Sequence, residues 1–207
     1  MLILRRIENT VGRPKSYDQD QVIKKVMMQF WQSGFAETSI ADLENTTSLN
    51  RYSLYNGFGD KEVLFEKALD YYQEHIITKL LAPLSEKPTS LDSIINFFIN
   101  LNASLKSRYG VFGCLIQNSQ REGISHSEFV KQQGIAVWKQ QYTLFSTCLD
   151  DPACNLPFTK EDAIQLLLAQ TQAQISLARA NAPHDVLNKQ CQAIKSLITT
   201  WRTQNKS

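Results

Sequence analysis

The run Arg51-Tyr52-Ser53-Leu54-Tyr55-Asn56 carries more hydroxyl groups than a buried helix usually holds and more aromatic rings than a solvated loop usually carries. That mixture suits a surface that meets a polyanion with readable edges. An arginine can pair with guanine O6 and N7. A tyrosine offers its ring to a thymine methyl group or its hydroxyl to a phosphate. Lys61 lies just beyond Gly57-Phe58-Gly59-Asp60, in the first turn of a new helix, where an ammonium and free backbone N–H groups can hold a phosphate together. Catalytic chemistry is not legible in the same way. The three histidines, His75, His126 and His184, fall in no H-E-x-x-H motif, no glycine-rich phosphate loop follows a strand, and no Ser/His/Asp set stands out. No enzyme, metal or cofactor is expected. Cys114, Cys148, Cys154 and Cys191 have no C-x-x-C spacing and read as reduced, buried thiols. Cys114 follows Gly113 at a possible helix start, where a thiolate is favoured, so a thiol-based redox or electrophile sensor is an alternative reading.

The elements that must position Arg51–Lys61 are helical. Asp18 with Gln21 caps a helix whose apolar face is Val22, Val26, Met27, Phe30 and Trp31, and Gly34 ends it in a left-handed position. Ser39 with Asp42 caps a short second helix, Asn50 a third, and Asp60 a fourth that runs to about residue 81. Two short helices joined by a tight polar turn form a helix-turn-helix unit, whose second helix enters the DNA major groove with its N-terminal residues at the base edges. Pro83 and Pro88 bracket a linker. Beyond it, amphipathic segments continue to Trp201 without strand-like alternation. The expected fold is all-α, with about nine helices. It divides into a basic arm (1–17), a helix-turn-helix DNA-binding domain (18–60) and a larger helical domain (61–207).

The bulk properties fit this division. The chain has 207 residues, 43% hydrophobic and 20% charged, as ordinary globular proteins have. Its net charge of +2 is too small to announce a polyanion partner, but Arg5, Arg6, Arg13 and Lys15 gather in the arm against Glu8 alone. No apolar run has membrane-spanning length and the N-terminus lacks a secretory pattern, so a cytoplasmic protein without a membrane partner is expected.

Gly12-Arg13-Pro14, FWQSGFAETSIADL (Phe30–Leu43) and LNRYSLYNGFGDKEVLFEKALDYY (Leu49–Tyr72) together resemble the tetracycline-repressor (TetR-type) family of bacterial transcription regulators. They cover about the first third of the chain in the family's order and spacing. Gly113–Gly123 and Ile175–Pro183 are similar, less specifically, to the C-terminal domain of one subgroup. The resemblance implies a homodimer on a palindromic double-stranded operator, released by a small-molecule effector of unknown identity. It assigns Tyr55, Lys61 and Ser39 to phosphate contacts and Arg51, Tyr52 and Ser53 to bases. Asn56 would touch either, and Arg13 and Lys15 form a minor-groove arm. A helical protein that binds a small molecule but has lost operator binding is the other alternative. Phe97, Phe98, Phe112, Cys114 and the stripe Trp138, Tyr142, Phe145 are candidates for the effector pocket, although such stripes also serve as plain core. For the dimer seam, Ala169 and Ala173 permit close approach, and Leu187, Ile194, Ile198 and Trp201 supply apolar area; these could equally be intramolecular core. Two residues depart from the family pattern. Ser48 stands where the turn commonly has glycine, and Glu44 where a small residue is usual.

Overall fold

The computed structural model describes residues 17–122 and 128–202. Arg13 and Lys15 lie outside them, as does Ser125, expected to cap a helix with Glu128. Helix α1 (Gln19–Ser33) is capped by Asp18, whose carboxylate accepts from the N–H groups of Asp20 and Gln21. It turns Val22, Val26, Met27, Phe30 and Trp31 inward. Gly34 ends it at the left-handed φ the sequence suggests, 84°, but at ψ 168° in place of a left-handed helical turn. Phe35 folds back all the same, stacking on Phe30 with ring centroids 6.0 Å apart.

Ser39 and Asp42 close a capping box on α2 (Ile40–Thr47), and Asn50 caps α3 (Arg51–Phe58). Between them Ser48 adopts φ 62°, ψ 25°, the left-handed conformation for which glycine is the usual residue. The turn keeps its geometry, and serine bears the strain. That conformation costs a non-glycine residue about 1–2 kcal/mol, against about 0.5–1 kcal/mol of extra chain entropy for glycine. Ser48→Gly is therefore expected to raise stability by about 0.5–1 kcal/mol, read as a higher urea midpoint at unchanged slope.

Helix α4 (Lys61–Tyr72) packs along α1, and its Phe65 meets Phe30 and Phe35 edge-on at 4.9 Å. A π turn, Gln73–Ile77, carries it without a break into α5 (Thr78–Ser85). This long helix serves both halves of the molecule. Its first turns complete the small N-terminal core, and its later turns belong to the larger bundle. Pro83 does not end the helix as the sequence suggested; it lies inside the last turn. A proline there leaves a carbonyl one turn earlier without its donor. The Asn100 side-chain amide covers the gap, lying 3.4 Å from the carbonyl oxygens of both Lys79 and Leu80.

The bundle continues with α6 (Leu91–Leu105), α7 (Leu115–Arg121), α8 (Glu128–Cys148), α9 (Lys160–Arg179) and α10 (His184–Thr200). Counting α4–α5 as one rod, these are nine helices among the described residues. No strand occurs there, only an isolated bridge between Cys154 and Arg202. Helix α6 lies centrally, packed by α5, α8, α9 and α10.

Candidate nucleic-acid interface and ligand cavity

At 100° per residue, α3 puts Leu54 and Phe58 on one side, and both are buried. The opposite arc centres on Tyr52 and Asn56, with Arg51 and Tyr55 on one flank and Ser53 on the other. Tyr52 is 77% exposed, an unusual position for a large aromatic side chain. The Arg51 guanidinium sits 5.1 Å from the Tyr55 ring centre, which pre-orients a cation beside an aromatic edge.

Two of the first three N–H groups of α3 are already taken. The Arg51 N–H donates to the Glu44 carboxylate at 2.6 Å, and the Ser53 N–H to Asn50 Oδ1 at 2.8 Å. Glu44 thus acts as a second cap, contributed by the preceding helix, and it pairs with the backbone of Arg51 and not with its guanidinium. The first turn of α3 therefore presents mainly side chains, with the Tyr52 N–H the donor left there. Ser39 is similarly committed. Its N–H and hydroxyl both donate to Asp42, holding that carboxyl below its usual range, so the α2 donors left for a phosphate are the N–H groups of Ile40 and Ala41. Lys61 opens α4 with its ammonium 4.4 Å from the Phe35 ring centre, which holds the charge at the α4 N-terminus.

Behind this head, a cavity of about 340 Å³ opens between α1, the α4–α5 rod, α6, α7, α8 and α9. Trp31 walls its head side. The indole N–H donates to the Gly113 carbonyl at 3.0 Å, and the ring touches Tyr72, Tyr109 and Phe112 with centroids 5.0–6.1 Å away. A second strut lies nearby. The Phe35 N–H donates to the Glu122 carboxylate at 2.9 Å, and that carboxylate fills the space a side chain at Gly34 would need. Positive φ and this close approach together explain glycine at 34.

Of the residues proposed from sequence for a pocket, Cys114 and Trp138 line this cavity. Phe97, Phe98 and Phe145 do not; they pack on one another in the bundle core at 5.0–6.3 Å. Phe112 backs Trp31, and Tyr142 gives its hydroxyl to Glu161 on α9. Trp31, Tyr72 and Gln141 were not proposed. Trp31 and Tyr72 looked like plain core, but Gln141 left a trace in the sequence, as a glutamine midway between Val137 and Phe145 on the buried stripe of α8. The alternative reading of Cys114 as a thiol sensor meets a buried thiol: burial pushes it above the usual range, beside the Tyr72 hydroxyl.

The proposed dimer seam also divides. Leu187, Ile194, Ile198 and Trp201 are buried within the protomer, where α10 covers α6. Ala169 and Ala173 are exposed and continue a stripe from Leu166, 46% exposed, on α9, and Leu197 of α10 is 37% exposed.

Among the described residues, no helix is long and apolar enough to cross a membrane, and no group of side chains could hold a metal ion. No protein-family model matches the chain. It is 33% identical over 114 residues to the helix-turn-helix transcriptional repressor ComR of Escherichia coli, a match spanning 55% of this chain and about half, 54%, of ComR. It is 26% identical over 150 residues to the repressor BdcR of the same organism, covering 72% of this chain and 73% of BdcR. Among solved structures, a cysteine variant of the TetR-family regulator CifR, bound to 26-base-pair operator DNA, superposes with a TM-score of 0.77 at 22% identity, covering 91% of this chain and all of that one. A TetR regulator from Chloroflexus aurantiacus gives 0.76 at 23% identity, covering 88% and 94%. With the capped head, the α3 arc and these superpositions, the chain has the fold of the TetR-family transcription regulators.

Proposed function

We propose that the chain is an operator-binding transcriptional repressor, released from DNA by a small molecule bound in the cavity behind the head. The outward arc of α3 carries the reading, above all the 77% exposed Tyr52 set beside Asn56, Arg51 and Tyr55. Arg51, Tyr52 and Ser53 face bases, Asn56 faces base or backbone, and Tyr55 and Lys61 meet phosphates, with Ser39 bringing the α2 N-terminus to the backbone. Residues 18–60 act as the head, with the first turns of α4 completing its core. Residues 61–207 bind the effector and dimerise. The repressor names of ComR and BdcR and the DNA-bound state of CifR support this reading. The test is a footprint on the chain's own upstream DNA at rising salt. One palindromic site with affinity falling steeply in salt supports it. Uniform weak binding everywhere points instead to a ligand-binding protein without an operator.

Two heads on one palindrome require a homodimer. Leu166, Ala169, Ala173 and Leu197 form its seam in this proposal, since the larger apolar residues of α10 are spent inside the protomer. Leu166→Lys with Leu197→Lys is expected to give a folded monomer by sedimentation, with operator affinity reduced at least about a hundredfold, because a half-bound palindrome loses the second head's contribution. A dimer that survives both charges places the seam elsewhere.

A further inference from the structure

We infer that the cavity selects a neutral, mainly apolar ring compound with one hydrogen-bonding group, and rejects ions of either sign. The inference rests on the effector reading above and names the chemistry of that site. The wall is built from Trp31, Tyr72, Leu80, Leu101, Ile116 and Trp138, and the polar positions among its described residues are Ser, Tyr, Cys and Gln without a single Asp, Glu, Lys, Arg or His. Two charged groups that border this region are already engaged. Glu122 accepts from the Phe35 N–H, and Arg179 donates from Nη1 to the Phe112 carbonyl at 3.1 Å. An ion entering would lose its hydration and gain no counter-charge, which costs several kcal/mol even after relaxation.

Aromatic walls can also cage cations, but only with free ring faces. Trp31 is already crowded by Tyr72, Tyr109 and Phe112, so its ring is a flat backstop and not one side of an open cage. Gln141 supplies the polar requirement. It is 5% exposed and reaches the cavity wall, and its amide is not among the buried polar atoms that lack a partner, so the cavity space reaches it. A ligand group that donates to or accepts from it takes the place of water there. A volume of about 340 Å³ lies at the small end of ligand sites and suits one or two fused rings.

The test uses the intact dimer and four probes of one size: 1-naphthol, naphthalene, 1-naphthoate and 1-naphthylmethylammonium. Affinity is read by calorimetry and by quenching of tryptophan fluorescence, since Trp31 and Trp138 both line the cavity. Naphthol is expected to bind about tenfold or more tightly than either ion. It should also exceed naphthalene by about three- to tenfold, a margin that Gln141→Leu abolishes. An ion binding as tightly as naphthol overturns the inference, as does failure of all four probes to bind at millimolar concentration. Equal affinity for naphthol and naphthalene removes the role given to Gln141. Operator release is scored separately on labelled promoter DNA. Selective naphthol binding without release leaves the cavity chemistry standing and sinks the effector reading.

Discussion

Trp31→Ala will destabilise the protein by about 3 kcal/mol and uncouple the head from the bundle. The indole is 8% exposed and joins the last turns of α1 to three aromatic rings, one on α4 and two beyond α6. Its loss removes that packing and strips the Gly113 carbonyl of its donor. The void joins an existing cavity and does not close over, so the cost should sit at the lower end of the range for large aromatic truncations. The expected readout is a fall in the urea midpoint on the order of 1 M or more. Trp31→Phe separates the two contributions. It retains a ring against Tyr72 and Tyr109 but loses the N–H, for about 1 kcal/mol. If the indole transmits ligand binding to the head, the phenylalanine variant will hold operator nearly as tightly as wild type yet need more ligand to release it. A wild-type midpoint for Trp31→Ala would show that the seam is held elsewhere, with the Glu122 strut the next candidate.

Local chemistry made most of the head legible from sequence. The caps at Asp18, Ser39, Asn50 and Asp60 use contacts within three residues, and each forms as the spacing predicts. The readings that fail depend on partners far along the chain. Pro83 looked like a helix stop because nothing near it can serve the carbonyls it leaves open; Asn100 does so from the next helix. Cys114 looked activated because a helix start favours thiolate, but its burial beside Tyr72 is set by a helix forty residues earlier and outweighs that effect. The aromatics of α6 and α8 show the same limit. A stripe at helical spacing states which face is buried but not whether the space behind it is filled. Phe97, Phe98 and Phe145 fill theirs with one another, whereas Trp31 and Trp138 border a void. The division of α10 is likewise tertiary: Leu187, Ile194 and Ile198 are buried where α10 covers α6, leaving Leu197 on the exposed face.

Lys61→Ala and Arg51→Ala are expected to weaken operator binding in distinguishable ways. Lys61 lies at a helix N-terminus, and in the proposed complex its charge and the free N–H groups of α4 meet one phosphate. Removing it should weaken binding to every sequence. It should also flatten the plot of log affinity against log salt by about 0.9 per phosphate, or about 1.8 for a dimer carrying two copies. Arg51 is placed differently. Its backbone is fixed by Glu44 and its guanidinium rests against Tyr55, so its reach is limited to the flank of the α3 arc. If that flank meets a guanine edge, Arg51→Ala costs about 1–3 kcal/mol at one base pair and relaxes preference there. Tyr55→Phe, losing a single hydroxyl contact, should weaken all sequences by a smaller factor and leave the salt slope unchanged. Arg51 is exposed, so its variant should fold with wild-type stability. The salt slope then decides its role. A slope reduced as far as in Lys61→Ala, with sequence preference intact, would reassign Arg51 to phosphate and leave Tyr52 and Asn56 as the side chains that read the operator.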